Sequence, residues 1–425
     1  MKRVIGMILS SCILLSICAC TQNGPSQTVP SGPPASENSS EPAPSGNLED
    51  AQLSQSAESF PLPGENIRAV STALHGMPAS TANGYYSVST ALKYTDIDSQ
   101  QTVFLCSQPG CKHEDASCQA WVGSSVESLC EYQGLIYAVT KEEDAIEFLK
   151  KDIATGKRTV LDRWELSGDE IPQISLGVFS DGKCALYISH NTSLLTESGD
   201  PLQSTITTEP LLYDLSTGAK TTLPERYQNW SVWGICGSRL LMAHRDYRIS
   251  EEEYTQWYGD DSGYEAYLES YIPSTLQLYD LETGESENIA TEDEGLTMTA
   301  DPCFAYGNTF IYQMGNDICL YDLETQTSRT AISAERVMNF WLMDHKIFLI
   351  QSLDETSEDE CRICYMDMDG GELFRLNNEG ATDYMHFSVT WEGNDFFGGN
   401  YKGNRLIRKA DFYADHYDKS WVGGY

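Results

Sequence analysis

A short apolar run that ends in Asp and a tight turn recurs along the chain. Residues 278–284 read Leu-Tyr-Asp-Leu-Glu-Thr-Gly, and residues 212–218 and 320–326 repeat this pattern closely. Looser copies lie at residues 149–156 and 364–370. The apolar and aromatic positions indicate a strand, the Asp side chain can bond the backbone ahead of it, and Thr-Gly supplies the positive φ of a hairpin loop. Each copy therefore predicts a strand that runs into a tight turn.

Further predicted strands flank each copy. A short strand follows the turn, as at residues 220–223, and a pair of strands joined by a Gly turn precedes most copies. Such pairs are found at residues 178–187, 304–312 and 391–397. Each repeat therefore contains four predicted strands.

The spacing of the repeats predicts the fold class. From Asp280 onward the repeated Asp residues are 42, 45 and 44 positions apart, close to the about 40 to 50 residues of one propeller blade. Seven copies are marked by Asp96, Asp152, Asp214, Asp280, Asp322, Asp367 and Asp411. The sequence predicts an all-β chain, a β-propeller of seven four-stranded blades, whose closed ring leaves only short sheet edges. Six or eight blades are the alternatives, because the first and last copies are the most degenerate.

The first 64 residues differ in composition from the rest. Lys2 and Arg3 precede an apolar run at residues 4–17, which is too short for a membrane-spanning helix. Residues 21–64 consist mainly of Ser, Pro, Gly, Glu, Asn and Gln. Such a composition buries too little apolar surface to offset the entropy of ordering, so this stretch predicts a disordered linker that precedes a propeller domain at residues 65–425.

Residues 17–20 read Ile-Cys-Ala-Cys and resemble the lipobox of bacterial lipoproteins. The resemblance implies a lipoprotein signal peptide at residues 1–19, cleavage after Ala19 and a diacylglyceryl group on Cys20. Cys20 would then anchor the protein in the lipid bilayer, at the extracytoplasmic face of the cell membrane, with residues 20–64 as its linker. An ordinary cleaved secretory signal is the alternative.

The chain is strongly acidic. It has 63 acidic and 27 basic residues, which give a formal net charge of −36. A charge of this sign argues against nucleic acid as a partner. The simplest interpretation is that the charge keeps an exported protein soluble.

Three Cys and one His fall close together after the outer strand of the first predicted blade. Cys106, Cys111, His113 and Cys118 form the pattern C-x4-C-x-H-x4-C. Three thiols and one imidazole are a ligand set of structural zinc, although this spacing is not one of the common zinc patterns. Disulfides that include Cys130 and free thiols are the alternatives. Apart from this structural zinc the sequence suggests no cofactor, and a covalent haem is disfavoured because its usual attachment is C-x-x-C-H.

The longest insertion within a predicted blade spans residues 246–273. Ser250 followed by three Glu predicts the start of a helix. Aromatic rings beside carboxylates are typical of carbohydrate-binding surfaces, and insertions of repeat proteins often carry binding. The candidate ligand-binding residues are Trp257, Tyr258, Tyr264 and Tyr267. The alternative is that these rings cover an apolar patch of the propeller.

Several of these features together resemble one group of proteins. A lipoprotein signal, a Ser/Pro-rich linker, the Cys-rich segment and Tyr-Asp-x-x-Thr-Gly hairpins are similar to the propeller lipoproteins of Gram-positive gut anaerobes. Residues 179–183 also resemble the strand-turn of TolB-like propellers. The resemblance covers residues 80–425 and implies fold and location, but no activity.

The sequence supplies no catalytic residue. It has no G-x-S-x-G elbow, P-loop or H-E-x-x-H motif. The leading interpretation is therefore a non-catalytic binding or scaffold module for an unidentified extracellular glycan or protein. The alternatives are an extracellular enzyme acting on glycan or peptide, and a metal-binding or redox-sensing module.

Overall fold

The computed structural model describes thirteen stretches of the chain, at residues 79–88, 91–166, 173–180, 182–195, 201–245, 248–259, 263–296, 303–306, 308–352, 361–368, 370–376, 388–400 and 404–422. The predicted signal peptide and linker at residues 1–64, including Cys20, lie outside the described residues. Within the thirteen stretches, no helix has the length and apolar character needed to cross a membrane.

The described chain is predominantly β and forms seven four-stranded antiparallel sheets, each made of four consecutive strands. The first sheet contains β1 Ala79–Ser80, β2 Gly84–Val88, β3 Leu92–Asp96 and β4 Thr102–Phe104. The second contains β5 Ser125–Tyr132, β6 Leu135–Lys141, β7 Ala145–Asp152 and β8 Arg158–Glu165. The third contains β9 Gln173–Ser180, β10 Lys183–Leu195, β11 Pro201–Asp214 and β12 Lys220–Thr222. The fourth contains β13 Trp230–Cys236, β14 Arg239–His244, β15 Thr275–Asp280 and β16 Ser286–Thr291.

Three further sheets complete the set. The fifth contains β17 Cys303–Tyr306, β18 Thr309–Met314, β19 Asp317–Asp322 and β20 Thr327–Ser333. The sixth contains β21 Val337–Met343, β22 Lys346–Ser352, β23 Cys361–Asp367 and β24 Phe374–Arg375. The seventh contains β25 Ser388–Glu392, β26 Phe396–Asn400, β27 Asn404–Arg408 and β28 Trp421–Val422. Within the described stretches the α-helices are α1 Glu251–Tyr258, α2 Tyr264–Ser270 and α3 Lys409–Tyr413.

The repeated Asp residues end the third strand in six of the seven sheets, as the sequence predicts. In the fifth sheet, Asp322 Oδ1 accepts hydrogen bonds from the backbone N–H groups of Glu324 and Thr325, at 2.9 and 2.7 Å. In the third sheet, Gly218 follows the same kind of turn with a φ of 74°, a left-handed conformation that glycine adopts without steric cost. The side chain of the repeated Asp therefore closes the turn into the fourth strand.

The seventh copy departs from this rule. β27 ends at Arg408, and Asp411 lies in the short helix α3 instead of at the end of a strand. Its carboxylate pairs with Lys419, at 2.5 Å between Oδ1 and Nζ. The segment after Asp411 lacks the Thr-Gly pair that makes the hairpin turn after Asp152, Asp214 and Asp280, and it continues as a helix.

Alternate residues of one strand face different neighbouring sheets. On β19, Cys319 and Tyr321 pack in a core with the fourth sheet, whereas Ile318 and Leu320 pack in a core with the sixth. Side chains along a strand alternate between its two faces. Because both faces of this sheet are buried, its central strands are apolar almost without interruption.

The sheets pack in chain order, and the seventh packs on the first. The core that joins these two sheets contains Tyr85, Ile97, Phe396 and Leu406. The backbone N–H of Asn394 donates to the carbonyl of Ala82 at 3.1 Å. Arg408 Nη2 lies 2.8 Å from Asp98 Oδ1. The two ends of the described chain are therefore held together by apolar, backbone and ionic contacts.

First strands of successive sheets contact one another, from β1 with β5 through to β17 with β21. Within each sheet the first and third strands run in the same direction, because all neighbouring strands are antiparallel. The connections between second and third strands therefore leave the sheet at the same end as those that lead on to the next sheet. Helices α1 and α2 lie at this end, since they connect β14 to β15.

Candidate functional site

The structure brings the four predicted metal ligands together. The sulfurs of Cys106, Cys111 and Cys118 and a ring nitrogen of His113 all lie within 4.8 Å of one another. His113 Nδ1 is 3.2 Å from Cys118 Sγ. Thiolates that share one tetrahedral zinc with bonds of about 2.3 Å are separated by about 3.8 Å. The four side chains therefore form a group that can hold one metal ion.

The group is carried by an excursion from the outer strand of the first sheet. After β4, the N–H of Leu105 donates to the carbonyl of Leu92 at 3.0 Å, and the N–H of Leu92 donates to the carbonyl of Ala120 at 2.8 Å. Ala91 and Trp121 form an antiparallel bridge one residue further on. Pairing along the sheet edge thus stops before Cys106 and resumes after Cys118, and the ligands lie in the segment between.

Tight turns fold this segment back on itself. Gly110 has a φ of 72°, and the N–H of Cys111 donates to the carbonyl of Gln108 at 3.3 Å. His113 also has a positive φ, 61°, in the left-handed region where His is enriched among non-glycine residues. The Asp115 carboxylate accepts from the Ser117 N–H at 2.8 Å and turns the chain toward the last ligand.

An aromatic contact fixes the ring of His113. The imidazole stacks on the ring of Phe104 in β4, with 4.1 Å between centroids and 15° between planes. Lys93 Nζ lies 5.1 Å from the centroid of the Phe104 ring. The stack fixes the orientation of the imidazole ring. Supporting residues commonly orient metal ligands in this way.

Two backbone N–H groups act on the sulfur of Cys106. Burial opposes ionisation, but the N–H groups of Gln108 and Gln119 and the thiols of Cys118 and Cys111 lower the pKa of Cys106. Donors of this kind stabilise a thiolate. The local backbone is therefore arranged to accept negative charge on this sulfur.

The pKa of the Cys118 thiol is shifted in the opposite direction from that of Cys106. Burial is the main cause that raises the pKa of Cys118 to about 11, while the N–H of Ala120, 3.3 Å from the sulfur, acts in the other direction. A buried thiol of this kind ionises when a cation binds it. Proton release on metal binding is the chemistry that this arrangement can perform.

Cys130 lies elsewhere in the fold. It is buried in β5, in the core between the second and third sheets that also contains Cys184. The Cys118 thiol belongs instead to the core between the first and second sheets. The eight cysteines whose side chains the structure describes carry free thiols.

Sequence reasoning missed Lys151 and Gln119, which lie beneath the ligand group. Lys151 is 2% exposed, and its Nζ donates to the carbonyls of Gln119 and Gly156 at 2.7 and 2.8 Å. Burial lowers the pKa of Lys151, and the thiols of Cys118 and Cys106 partly oppose this shift. The available signal was the position of Lys151 in the repeat, one residue before the repeated Asp.

The insertion in the fourth sheet forms two helices, as the sequence predicts for its start. The Ser250 hydroxyl accepts from the N–H of Glu253 at 3.3 Å, and the Glu253 carboxylate accepts from the N–H of Ser250 at 2.8 Å. This reciprocal arrangement is a capping box. Helix α1 ends at Gly259, which has a φ of 71°.

The structure places three of the four candidate ligand-binding aromatic residues around the ring of Tyr254. Tyr264 and Tyr267 pack on Tyr254 with centroid distances of 5.6 and 5.4 Å, between the two helices. Tyr258 is 66% exposed and packs on Tyr254 within α1, at 4.7 Å between centroids. The side chain of Trp257 lies outside the described residues.

A second charged group lies between the sixth and seventh sheets. Lys409 Nζ is 2.8 Å from Asp344 Oδ1 and 2.9 Å from Glu392 Oε2, and Tyr413 donates to Asp344 Oδ2 at 2.8 Å. Asp344 of the sixth sheet therefore contacts two donors of the seventh, and its own backbone N–H donates to Glu392 at 2.9 Å. Partners of this kind satisfy buried charges, and the group acts as a contact between sheets.

Comparisons with known proteins gave structural similarities only. No protein-family model and no curated protein matched the chain. An oligogalacturonate lyase in complex with manganese covers 75% of this chain and 82% of its own, at 11% identity and a TM-score of 0.40. The similarity to the β-propeller domain of the trilobed protease from Pyrococcus furiosus covers 71% of this chain and 80% of that domain, at 11% identity and a TM-score of 0.38. The similarity to TolB from Acinetobacter baumannii covers 78% of this chain and 76% of TolB, at 13% identity and a TM-score of 0.34.

Proposed function

We propose that this chain is an extracytoplasmic lipoprotein whose seven sheets are the blades of a closed β-propeller. The propeller acts as a non-catalytic binding module, and a structural zinc ion held by Cys106, Cys111, His113 and Cys118 fastens its first blade to its second. The convergence of these four ligand atoms within 4.8 Å is the observation that carries the proposal.

The contacts between sheets support a closed ring of seven blades. Each sheet shares one apolar core with the sheet before it and another with the sheet after it, and the seventh shares a core with the first. First strands contact one another in succession, as expected for the innermost strands of a propeller. A closed ring of this kind removes long exposed sheet edges.

The ligand set supports a structural metal and zinc in particular. Four protein ligands complete a tetrahedral shell, whereas catalytic zinc sites keep a position open for water or substrate. Three sulfurs and one imidazole nitrogen suit zinc better than magnesium or calcium, which prefer oxygen. Because all four atoms lie so close together, a single ion fits them better than an iron–sulfur cluster, whose ligands are spread over several irons.

The position of the metal group supports a role in fastening two blades. Cys118 belongs to the apolar core between the first and second sheets. The neighbouring Gln119 accepts a hydrogen bond from Lys151 of the second sheet at 2.7 Å. An ion that holds the excursion compact would therefore keep this contact in place.

The binding role rests on the placement of the insertion. Helices α1 and α2 lie at the end of the sheets where the longer connections emerge, and Tyr258 is exposed there. Connections at one end of a rigid scaffold are a common place for binding residues. Tyr258 and Trp257 are the proposed contacts with an extracellular glycan or protein, because Tyr264 and Tyr267 are used to join the helices.

The anchor is proposed from residues outside the described part of the chain. Acylation of Cys20 would hold the propeller at the membrane through the linker at residues 20–64. Cells that express the unaltered chain should incorporate a labelled fatty acid into it, and the Cys20→Ala variant should not. Labelling of both proteins to the same extent would refute the anchor.

Metal analysis of the full chain tests the zinc proposal. Protein purified without oxidants should contain about one zinc per chain. Cys118→Ser should lose the metal, and Cys236→Ser, which alters a half-buried cysteine of the fourth sheet, should keep it.

Two results would contradict structural zinc. Protein without metal but with two or more thiols missing from the free-thiol count would support a disulfide instead. Metal that leaves reversibly during mild oxidation, with binding of a ligand altered at the same time, would favour the redox-sensing alternative, which uses the same four residues.

A further inference from the structure

One buried position of the repeat carries a charge in the second sheet. The residue before the repeated Asp is Tyr213, Tyr279 or Tyr321 in the third, fourth and fifth sheets, and all three are buried. In the second sheet the same position holds Lys151, which is 2% exposed. Among these four described sheets, only the second has a buried ammonium in place of the buried aromatic ring. The second sheet is also the one that lies against the Cys-rich segment.

Lys151 is hydrogen-bonded but not neutralised by a carboxylate. Its Nζ donates to the carbonyls of Gln119 and Gly156, at 2.7 and 2.8 Å. Within the described stretches no carboxylate forms an ion pair with it. An uncompensated buried charge is costly, and proteins bury lysine almost only when a negative partner is near.

One peptide group connects Lys151 to a metal ligand. The carbonyl of Gln119 accepts from Lys151, and the N–H of the same peptide group, which belongs to Ala120, donates to Cys118 Sγ at 3.3 Å. A cation at the oxygen polarises the peptide and makes its N–H a stronger donor. Lys151 therefore acts on the sulfur through a single peptide unit.

We propose that Lys151 is a positioning residue and the counter-charge of the metal centre. The inference rests on the proposed zinc site and deepens it, because it names the residue that balances the charge of the site and links it to the second sheet. Lys151 holds the Gln119 carbonyl on one side and the Gly156 carbonyl of the repeat turn on the other. Metal loading and packing of the first sheet on the second are thereby coupled.

The net charge of the four-ligand group differs between its zinc-bound state and its disulfide state. Zinc with three thiolates and a neutral imidazole carries one net negative charge, which the ammonium of Lys151 balances. A disulfide is neutral and would leave the ammonium without a compensating charge. The buried lysine therefore favours the metal-bound state of the thiols over the oxidised one.

Substitutions at Lys151 in the full chain test this inference, with zinc alone as the probe. Lys151→Met and Lys151→Gln should each weaken zinc binding by about 10- to 100-fold, the usual effect of altering an outer partner of a metal ligand. Lys151→Gln retains a hydrogen-bond donor but no charge, so it separates the two contributions and serves as a second variant if Lys151→Met does not fold. Lys151→Arg should restore most of the affinity.

A spectroscopic readout distinguishes positioning from a general loss of structure. With cobalt(II) in place of zinc, each variant should keep tetrahedral absorption bands, because all four ligands remain. The pH at which half of the metal is lost should rise in Lys151→Met, because a less stabilised thiolate competes better for protons. Lys150→Met is the matched control, since Lys150 is the adjacent residue of β7 and its side chain alternates to the other face of the strand.

The outcomes separate this inference from the function on which it rests. If the unaltered chain binds no metal, the zinc proposal and the inference fail together. If the unaltered chain binds zinc and both uncharged variants bind it equally well, the inference alone is wrong. Equal weakening in Lys150→Met would also overturn it, because the effect would then follow from net charge.

Discussion

Arg408 and Asp98 lie 310 positions apart in sequence and form an ion pair of 2.8 Å that joins the seventh sheet to the first. The Asp98 side chain is highly exposed, so the pair contributes little to stability on its own. The apolar core beside it, which contains the fully buried Phe396, is the stronger contact across this seam.

We therefore expect stability at the seam to depend on Phe396. Phe396→Ala should lower the free energy of unfolding by about 3 to 5 kcal/mol, because it leaves a cavity in a packed core. Asp98→Ala should lower it by less than about 1 kcal/mol. Denaturant unfolding measures both, with Phe374→Ala as the control because Phe374 is 44% exposed on an outer strand. Equal losses in the two phenylalanine variants would contradict a packed seam.

Two glycines in equivalent turns provide a sharper comparison. Gly156 and Gly218 have φ values of 70° and 74°, so Ala introduces similar backbone strain at both. A Cβ on Gly156 would lie 2.3 Å from Gln119 Cγ, whereas a Cβ on Gly218 would have nothing within 4 Å. Gly156→Ala should therefore reduce stability more than Gly218→Ala, and it alone should weaken zinc binding. Equal zinc affinity in the two variants would show that the turn and the metal centre are independent.

The Asp residues of the repeat turns predict sensitivity to acid. Backbone and side-chain hydrogen bonds from Thr325 hold the pKa of Asp322 below its usual 3.8, and similar bonds lower the pKa of Asp96, Asp152 and Asp214. The unfolded chain binds protons more readily, so this stabilisation is complete above pH 3.8 and is lost as the pH falls through the lowered values.

Replacing all four with Asn should make the loss of stability below pH 3.8 shallower, as measured by denaturant unfolding across a pH series. The control replaces four exposed glutamates with Gln for the same change in net charge: Glu282, Glu285, Glu324 and Glu372. An identical pH dependence in both variants would exclude the turn carboxylates as its source.

The aromatic residues of the insertion should divide into two groups. Tyr264 donates to the carbonyl of Ile249 at 3.3 Å and packs on Tyr254, so Tyr264→Ala should loosen the helices and increase proteolytic cleavage at residues 246–273. Tyr258→Ala should increase cleavage less, because this ring is exposed and its contact with Tyr254 lies within α1 instead of between the helices. If binding to a glycan array is detected for the unaltered chain, Tyr258→Ala should reduce it. Unchanged glycan binding would remove Tyr258 from the proposed contact surface.

Much of the fold could be predicted from the sequence because its signals are local. The Asp that closes each turn acts on residues two or three positions ahead, so the end of the third strand could be recognised in six sheets. The same reasoning was wrong for the seventh sheet, because Asp411 lies in a helix and not at the end of the third strand.

The metal group was only partly predictable, because its setting depends on contacts that are distant in sequence. Residue types identified the four ligands, but the pairing of Ala91 with Trp121 across the excursion has no local signal. Lys151 lies 33 positions from Cys118 in sequence, and its role follows only when the carbonyl of Gln119 is seen between them. The sequence did hold one clue, the lysine at a position that is aromatic in three other repeats.

Each sheet is drawn from one uninterrupted stretch of chain, and this affects the order in which the molecule can be built. As the chain emerges from the ribosome, every sheet can pair its strands from residues that have just been made, and such short-range pairing is fast. The contact between Asp98 and Arg408 must wait until almost the whole chain exists. A nascent chain would therefore be a growing row of finished sheets with two exposed outer faces, which become buried together when the seventh sheet meets the first.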